Sequence, residues 1–369
     1  MKELYIGLMS GTSIDSIDAV LVNFSNKEPE VLEKKSTNIP QKLKNEIRRA
    51  TNSKNLNKEI IQKLDRDMAN LFSKSVLNLI KNFSLKREKI IAIGSHGQTI
   101  KHSPNSKPGF SLQVGDPSLI AVQTGITTVG DFRRQDIEAG GQGAPLAPLF
   151  HNYLFSNKKF NRAIVNIGGI ANITFLKAGD HRIVGFDSGP GNCLMDAWSK
   201  ESKIGDFDKD GAWASEGKTI QNLLKNMLKD PFFVLNFPKS TGTDYFNLNW
   251  IKKNSRILSI KPNAKDIQAT LLDLTSQTIF LALNQFSDLE DNVFFCGGGI
   301  HNNSLIESLE NKLGFKINST FSLGLDPDFL EAVCFAWLGK ERLEGKSFDL
   351  SGITGSKQKV KLGSIWEVT

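Results

Sequence analysis

The stretch Leu4–Phe24 reads LYIGLMSGTSIDSIDAVLVNF, and a second stretch, Arg162–Leu176, reads RAIVNIGGIANITFL. Each is an apolar run, a turn of small residues and a second apolar run, and this order predicts a β-hairpin with a glycine-rich tip. A third strand is predicted after each hairpin, in the segments VLEKKSTNI and HRIVGFD. The same three-stranded unit is therefore predicted twice along the chain.

Each three-stranded unit is followed by a helical region and then by a short strand that ends in glycine. Apolar residues recur every three or four positions in Asn57–Phe83 and in Asp266–Phe286, which is the period of an amphipathic helix. The strands that follow read KIIAIGSHGQT and NVFFCGGGIHN. The repeated order predicts an α/β protein of two similar lobes, residues 1–155 and 156–369, with a cleft between them.

The composition excludes several classes of protein. The chain has 369 residues, and its 46 Lys and Arg against 39 Asp and Glu give a net charge of +7. The basic residues are interleaved with acidic ones and no zinc-finger or aromatic RNA-binding motif occurs, so no nucleic-acid partner is expected. No signal peptide and no apolar run of about 18 residues are found, so no membrane association is expected. The three cysteines lie far apart, which favours a reducing compartment.

Three glycine-rich turns are candidates for nucleotide binding. The tip of the first hairpin, Ser10–Ser13, suits either an ordinary tight turn or a turn whose backbone N–H groups converge on a phosphate. The second hairpin carries the turn NIGGIANIT, and the strand FFC ends in Gly297–Gly299, where the backbone can approach a flat ring or phosphates. Asp15 and Asp18 are candidate ligands of Mg²⁺, directly or through water. No Walker A motif occurs, so a P-loop ATPase is excluded.

Asp187 is the candidate catalytic residue, in the segment GFDSGPGNCLMDAW. A carboxylate at the end of a strand, before a glycine turn and a new helix, is placed to act as a general base. The alternative is an N-cap of the next helix, for which Asn192 is the better candidate. The glycine-rich segment 131–148 predicts a long loop that is either functional or a surface excursion. No paired histidines or HExxH motif occur, so no catalytic metal ligands are predicted within the chain.

Eight strings occur in order between residue 5 and about residue 340: GLMSGTSIDSIDAVLV, GSHGQT, LQVGDPSLIA, TVGDFRRQDIEAGGQGAPLAPLFH, NIGGIANIT, GFDSGPGNCLMD, STGTDYFN and FFCGGGIHN. Together they resemble the anhydro-N-acetylmuramic acid kinase family. That family lies in the superfamily of actin, hexokinase and the heat-shock chaperone ATPases. The resemblance implies two ribonuclease H-like α/β lobes with a central cleft for nucleotide and sugar.

The resemblance also implies a reaction, in which ATP, water and 1,6-anhydro-N-acetylmuramic acid give N-acetylmuramic acid 6-phosphate and ADP. This reaction belongs to cytoplasmic recycling of peptidoglycan sugars, with ATP and Mg²⁺ as cofactors and a homodimer as the expected assembly. Asp187 would activate the water. The expected nucleotide-binding residues are Gly11, Thr12, Ser13, Ile14, Asp15, Ser16, Ile17, Asp18, Gly168, Gly169, Gly297, Gly298 and Gly299. The expected sugar-binding residues are Thr99, Asp116, Arg133 and Glu331.

One residue departs from the family pattern, because Ser16 stands where the family usually has glycine after the aspartate of the first hairpin. If that position requires a positive φ, serine costs roughly 1 kcal/mol there. Two other functions agree with parts of the sequence. One is a plain sugar kinase in which Asp187 deprotonates a hydroxyl, and the other is a non-catalytic nucleotide-dependent binding protein.

Overall fold

A computed structural model describes residues 2–53, 55–104, 106–180, 182–260, 262–289 and 292–368. Its strands are β1 (Leu4–Ser10), β2 (Ser16–Asn23), β3 (Glu30–Asn38), β4 (Ile90–Ser103), β5 (Phe110–Val114), β6 (Thr128–Gly130), β7 (Arg162–Ile167), β8 (Ile170–Leu176), β9 (Ile183–Pro190), β10 (Val293–Cys296), β11 (Asn318–Ser319) and β12 (Ser364–Trp366). Its helices are α1 (Gln41–Asn52), α2 (Lys58–Asn82), α3 (Pro117–Thr124), α4 (Arg134–Glu138), α5 (Ala147–Phe155), α6 (Cys193–Glu201), α7 (Ala212–Ser215), α8 (Gln221–Met227), α9 (Leu248–Ser255), α10 (Ala264–Leu283), α11 (Asn303–Leu313) and α12 (Leu330–Leu343).

The strands form two sheets with matching connectivity. In the first sheet the order is β12-β6-β4-β1-β2-β3, with β5 paired to β4, and in the second it is β11-β10-β7-β8-β9. The antiparallel hairpin β1–β2 is joined by the parallel strand β4, just as the hairpin β7–β8 is joined by the parallel strand β10. The two predicted hairpins, the third strand after each and the internal repeat are therefore confirmed, as is the α/β class.

The long helix α2 confirms the first helical prediction. Asn57 caps its N-terminus, because the side-chain oxygen accepts hydrogen bonds from the backbone N–H groups of Glu59 and Ile60. Its buried face, which includes Leu64, Met68, Phe72, Val76 and Leu79, packs into the core against the first sheet. The second predicted helix is α10, which begins at Ala264 and ends at Leu283.

The chain divides into two compact units, one of Met1–Phe150 with Phe329–Thr369 and one of His151–Asp328. This division differs from the predicted boundary, which kept all of residues 156–369 together. The reason lies in α12 and two strand glycines. A Cβ on Gly7 would lie 1.8 Å from the Ala332 carbonyl oxygen, and one on Gly94 would lie 1.9 Å from that of Phe335. The missing side chains let α12 lie directly on β1 and β4.

Beyond α12, the C-terminal segment adds a strand to the first sheet. β12 pairs antiparallel with β6, with Ile365 opposite Val129. Among the described residues, no helix is both long enough and apolar enough to cross a membrane.

Candidate active site

The turn between β1 and β2 carries the first predicted phosphate-binding group. Its tip, Thr12 and Ser13, is exposed, and the Ile14 N–H donates to the Gly11 carbonyl at 3.2 Å, which closes a tight turn. A Cβ on Gly11 would meet no described protein atom within 4 Å. Ile17, by contrast, is fully buried in the core. The turn therefore has room for a ligand at Gly11, whereas the side chain of Ile17 packs inward.

The two carboxylates of this hairpin make contacts within the same unit. Asp15 forms an ion pair of 3.0 Å with Lys44 of α1. The Asp18 Oδ1 atom accepts hydrogen bonds from Ser36 at 2.5 Å and from Ser16 at 3.3 Å. Each carboxylate is thus already bound to a neighbouring side chain. A metal ion that bound there would share the carboxylate oxygens with that side chain.

The strain considered at Ser16 falls on a different residue. Ser16 is the first residue of β2 and pairs with Asn38, and its φ is not positive. The left-handed residue of this turn is Ile14, with φ of 61°. Serine in place of glycine therefore carries no conformational cost at position 16.

Arg133, one of the predicted sugar-binding residues, is held by fixed partners. Its Nη2 atom donates to His96 Nε2 at 2.8 Å and its Nη1 atom donates to the Gly143 carbonyl at 2.8 Å. His96 Nδ1 donates to the Gly97 carbonyl at 2.9 Å, which leaves Nε2 as the acceptor. Burial, together with the charge of Arg133, lowers the pKa of His96 well below its usual value, so the ring is neutral.

The other predicted sugar-binding residues lie in the same unit. Thr99 is on β4, where its Oγ1 atom accepts a hydrogen bond of 3.4 Å from Gln113. Glu331 is in the first turn of α12, one turn before Phe335, whose ring lies 4.7 Å from that of His96. Asp116 caps α3, because its Oδ1 atom accepts from the N–H and hydroxyl groups of Ser118. α12 and β4 thus bring Glu331 and Thr99 to the region of His96.

The segment 131–148, predicted as a structureless loop, contains the short helix α4 and is anchored by Asp136. This carboxylate is completely buried and accepts from the Thr354 hydroxyl and from the Gly143 N–H, both at 2.7 Å. The Gln142 N–H also donates to the Thr354 carbonyl at 2.9 Å. The C-terminal segment, which has no informative sequence pattern, therefore fixes the loop that carries Arg133.

In the other unit, the predicted glycine turns meet around the end of β7. The N–H groups of Gly191 and Asn192 donate to the carbonyls of Gly169 and Gly168, both at 2.9 Å. Asn192 is the N-cap residue of α6, as predicted, but its side chain donates to the Gly168 carbonyl at 3.1 Å and makes no capping bond to the helix. The start of α6 instead holds the tip of the second hairpin.

The third glycine turn joins the same group. Gly297 has φ of +80°, and a Cβ on it would lie 2.3 Å from Asn166 Oδ1, whereas a Cβ on Gly299 would lie 2.2 Å from Ile167. Between them, a Cβ on Gly298 would meet no described protein atom within 4 Å. Gly297 and Gly299 are thus required for packing against β7, and Gly298 is the position with open space beside it.

Asp187 is 5% exposed and lies inside β9, which continues to Pro190, so the prediction that it ends a strand is wrong. Its Oδ2 atom accepts a hydrogen bond of 2.8 Å from the Thr241 N–H, and its own N–H donates to the Lys239 carbonyl at 3.0 Å. Cross-strand pairing places Asn166, Asn172 and Asp187 side by side on β7, β8 and β9. A buried carboxylate that is oriented by a backbone N–H has the form expected of a general base.

Sequence reasoning missed two residues beside Asp187. The ammonium group of Lys239 is buried and donates to the carbonyls of Phe232 and Phe233 at 3.1 and 3.3 Å. Burial lowers the pKa of Lys239, and the charge of Asp187 opposes that shift. The Oδ1 atom of Asn172 is buried with no hydrogen-bond partner among the described residues. The sequence carried a signal for each, because Lys239 immediately precedes the string STGTDYFN and Asn172 lies within the string NIGGIANIT.

Metal binding within the protein itself is limited. Across the described part of the chain, no three His, Cys, Asp or Glu side chains are grouped as metal ligands. A Mg²⁺ ion that arrives with nucleotide needs only one or two protein carboxylates, because phosphate oxygens and water supply the other ligands. The carboxylates of Asp15 and Asp18 in the first hairpin fit this way of binding Mg²⁺.

Comparison with known proteins decides the family. Residues 3–368 match the family described as anhydro-N-acetylmuramic acid kinase. The chain belongs to this family. A protein of Shewanella baltica (strain OS223) named anhydro-N-acetylmuramic acid kinase is 44% identical over 360 residues, or 97% of each chain. A protein of the same name from Coxiella burnetii (strain Dugway 5J108-111) is 44% identical over 367 residues, 99% of this chain and 98% of the relative.

Solved structures show more distant likeness. The (R)-2-hydroxyglutaryl-CoA dehydratase component A of Acidaminococcus fermentans is 12% identical, with a TM-score of 0.48 over 93% of this chain and 99% of that one. The family assignment confirms the resemblance drawn from the eight strings. The roles of the individual site residues stay predictions.

Proposed function

We propose that this protein is an ATP-dependent kinase that opens 1,6-anhydro-N-acetylmuramic acid with water and phosphorylates the product at O6. Membership of the anhydro-N-acetylmuramic acid kinase family over residues 3–368 is the observation that carries the proposal. The geometry supports it, because the chain offers glycine turns with open space and a buried carboxylate, Asp187, that a backbone N–H orients. Such a set suits phosphoryl transfer, which depends on positioning and electrostatic stabilisation more than on a nucleophilic side chain.

The proposed chemistry needs one base. Asp187 takes a proton from water as the water oxygen forms a bond to C1 of the sugar. The C1–O6 bond of the anhydro bridge breaks, and O6 attacks the γ-phosphorus of ATP as the bond from phosphorus to the β-bridging oxygen breaks to release ADP. The Thr241 N–H holds the Oδ2 atom of Asp187 at 2.8 Å, so the carboxylate is oriented before the substrate binds.

The nucleotide is proposed to bind at the three glycine turns. The expected set is Gly11–Asp18 from the first hairpin, with Gly168, Gly169 and Gly297–Gly299 from the second unit, and Gly11 and Gly298 have the open space for close approach. Mg²⁺ would neutralise phosphate charge when bound with ATP, and Asp15 and Asp18 are the carboxylates proposed to hold it or its waters. Thr99, Asp116, Arg133 and Glu331 are proposed to bind the sugar.

We also propose a location and an assembly for the protein. The cysteines described as free, Cys193, Cys296 and Cys334, agree with a reducing cytoplasm. A homodimer is proposed, and size-exclusion chromatography with light scattering tests it. No nucleic-acid or membrane partner is part of the proposal.

Turnover in ¹⁸O-water tests the function directly. We expect ¹⁸O at C1 of the sugar and none in the transferred phosphate, because the bridge oxygen becomes O6. The reaction is stopped early, since free reducing sugars exchange the C1 oxygen slowly with solvent. Phosphorylated sugar without ¹⁸O would indicate a plain kinase. Label in inorganic phosphate with an unchanged sugar would indicate an ATPase, and either outcome refutes the proposal.

A further inference from the structure

One face of the β4–β5 hairpin carries four polar side chains in contact with one another. Gln113 Nε2 donates to Ser111 Oγ at 2.6 Å and lies 3.4 Å from Thr99 Oγ1. Ser111 Oγ lies 3.0 Å from His102 Nδ1. The strand register pairs Thr99 with Gln113 and His102 with Ser111. Thr99 is a proposed sugar-binding residue, so this face is part of the proposed sugar site.

These contacts favour the tautomer of His102 that carries its proton on Nε2. Ser111 Oγ accepts from Gln113 and still has its own proton to donate. Within the described ranges, His102 Nδ1 is the acceptor that this hydroxyl contacts. We assign Nδ1 as the accepting nitrogen, because this arrangement uses the serine proton, and in the neutral imidazole the proton then lies on Nε2.

Among the described residues, the Nε2–H group has no hydrogen-bond partner. The Nε2 atom is buried and makes no hydrogen bond to the described residues. Burial and the nearby charge of Arg133 lower the pKa of His102 from 6.5 to about 3, so the ring stays neutral at physiological pH. A buried N–H without an acceptor is unfavourable, and such groups in native proteins need an explanation. A ligand atom is the explanation that the location favours.

The charge of Arg133 indicates the chemistry of that atom. The guanidinium lies near a neutral N–H donor that is buried from solvent. An anionic oxygen is therefore favoured over a neutral one as the acceptor at this position. The proposed substrate carries one ionised group, the carboxylate of its lactyl ether. We propose that His102 is a further substrate-binding residue, whose Nε2–H donates to this carboxylate alongside Arg133. The inference rests on the proposed function, because it takes a muramyl sugar as the ligand.

Two substitutions at His102 separate this role from a structural one. His102→Gln keeps an N–H donor near the position of Nε2 and loses the contact with Ser111. His102→Asn keeps a group near Nδ1 for Ser111 and loses the donor to the ligand. Binding and kinetics are measured with 1,6-anhydro-N-acetylmuramic acid and with 1,6-anhydro-N-acetylglucosamine, which lacks the lactyl group. Melting temperatures show whether each variant is folded.

For His102→Asn we expect the Kd and KM for the muramyl sugar to rise about 10- to 100-fold, with kcat nearly unchanged. The glucosamine analogue should bind to this variant as it does to the wild type, and His102→Gln should retain most of the affinity for the muramyl sugar. If His102→Asn does not fold, Ser111→Ala serves instead. Without the serine hydroxyl the ring proton can move to Nδ1, so a smaller loss confined to the muramyl sugar is expected.

Equal losses of affinity for both sugars, or wild-type affinity in His102→Asn, would overturn the inference. So would a wild type that binds the two sugars equally well. Calorimetric binding of the sugars does not depend on turnover. A wild type that prefers the muramyl sugar without phosphorylating it would therefore refute the proposed function and leave the role of His102 intact.

Discussion

Replacing Asp187 with asparagine removes the proposed base with little change in shape. The asparagine oxygen can still accept the Thr241 N–H that now lies 2.8 Å from Oδ2, so the local backbone should be retained. The amide cannot accept a proton from water, and loss of a general base typically costs about 10²–10⁴-fold in rate. That range corresponds to roughly 3–5.5 kcal/mol of activation free energy.

A second effect of the substitution follows from Lys239. The negative charge of Asp187 raises the pKa of this buried ammonium group against the effect of burial. Asparagine removes that charge, so the variant should lose some stability in addition to activity. Lys239 keeps its carbonyl partners on Phe232 and Phe233, which limits the loss.

The assay is ADP release coupled to a reporter enzyme, with the anhydro sugar saturating, and ATP affinity measured separately by calorimetry. Asp208 provides a matched control, because it is also a buried carboxylate of the same unit, and it accepts the N–H groups of Trp213 and Ala214 at 2.9 Å. Asp208→Asn should lower the melting temperature and leave kcat within about twofold. A kcat for Asp187→Asn within threefold of the wild type would remove Asp187 from the base role.

Three further predictions follow from the packing and charges. Gly7→Ala should lower the free energy of unfolding by about 1–3 kcal/mol or more in urea titrations, because its Cβ would overlap a carbonyl of α12. Gly298→Ala should leave the free energy of unfolding unchanged and weaken ATP binding, because a Cβ there would meet no described protein atom within 4 Å. Burial lowers the pKa of His102 and of His151 to about 3. Because these histidines take up protons in the unfolded chain below about pH 6.5 but stay neutral in the folded protein, the free energy of unfolding should fall by about 2 kcal/mol per histidine from pH 7 to pH 5. A urea midpoint that does not change over this pH range would contradict the prediction. Arg133→Ala should raise the sugar KM and leave the ATP Kd near that of the wild type, and the reverse pattern would assign Arg133 to the phosphate site.

The sequence predicted the two hairpins and the repeat because their signals are local. Two apolar runs and a small-residue turn suffice to define each of β1–β2 and β7–β8. The return of α12 to the first unit was not predicted, because Leu330–Leu343 contacts strands more than 200 residues earlier in the chain. A signal was nevertheless present: Gly7 and Gly94 both lie inside strands, where glycine indicates a close approach of another backbone.

Only part of the candidate site could be predicted from the sequence. Motifs located Arg133 and Asp187, but their partners come from elsewhere in the chain. His96 is 37 residues from Arg133, and Thr354, which fixes the loop through Asp136, is 218 residues from that carboxylate. No periodicity or spacing reports such pairs, since they exist only once the sheet and the C-terminal segment are assembled.

The glycines of the nucleotide turns show why a motif alone does not separate packing from binding. In the string CGGG the three glycines are equivalent as letters, yet a Cβ on Gly297 or Gly299 would overlap β7, whereas one on Gly298 would meet no described protein atom within 4 Å. Alanine at the first two positions must therefore disturb the fold, and any loss of ATP binding there would be ambiguous. At Gly298 the fold does not explain the absence of a side chain. A loss of ATP affinity in Gly298→Ala, with stability unchanged, would therefore have to arise from contact with the nucleotide.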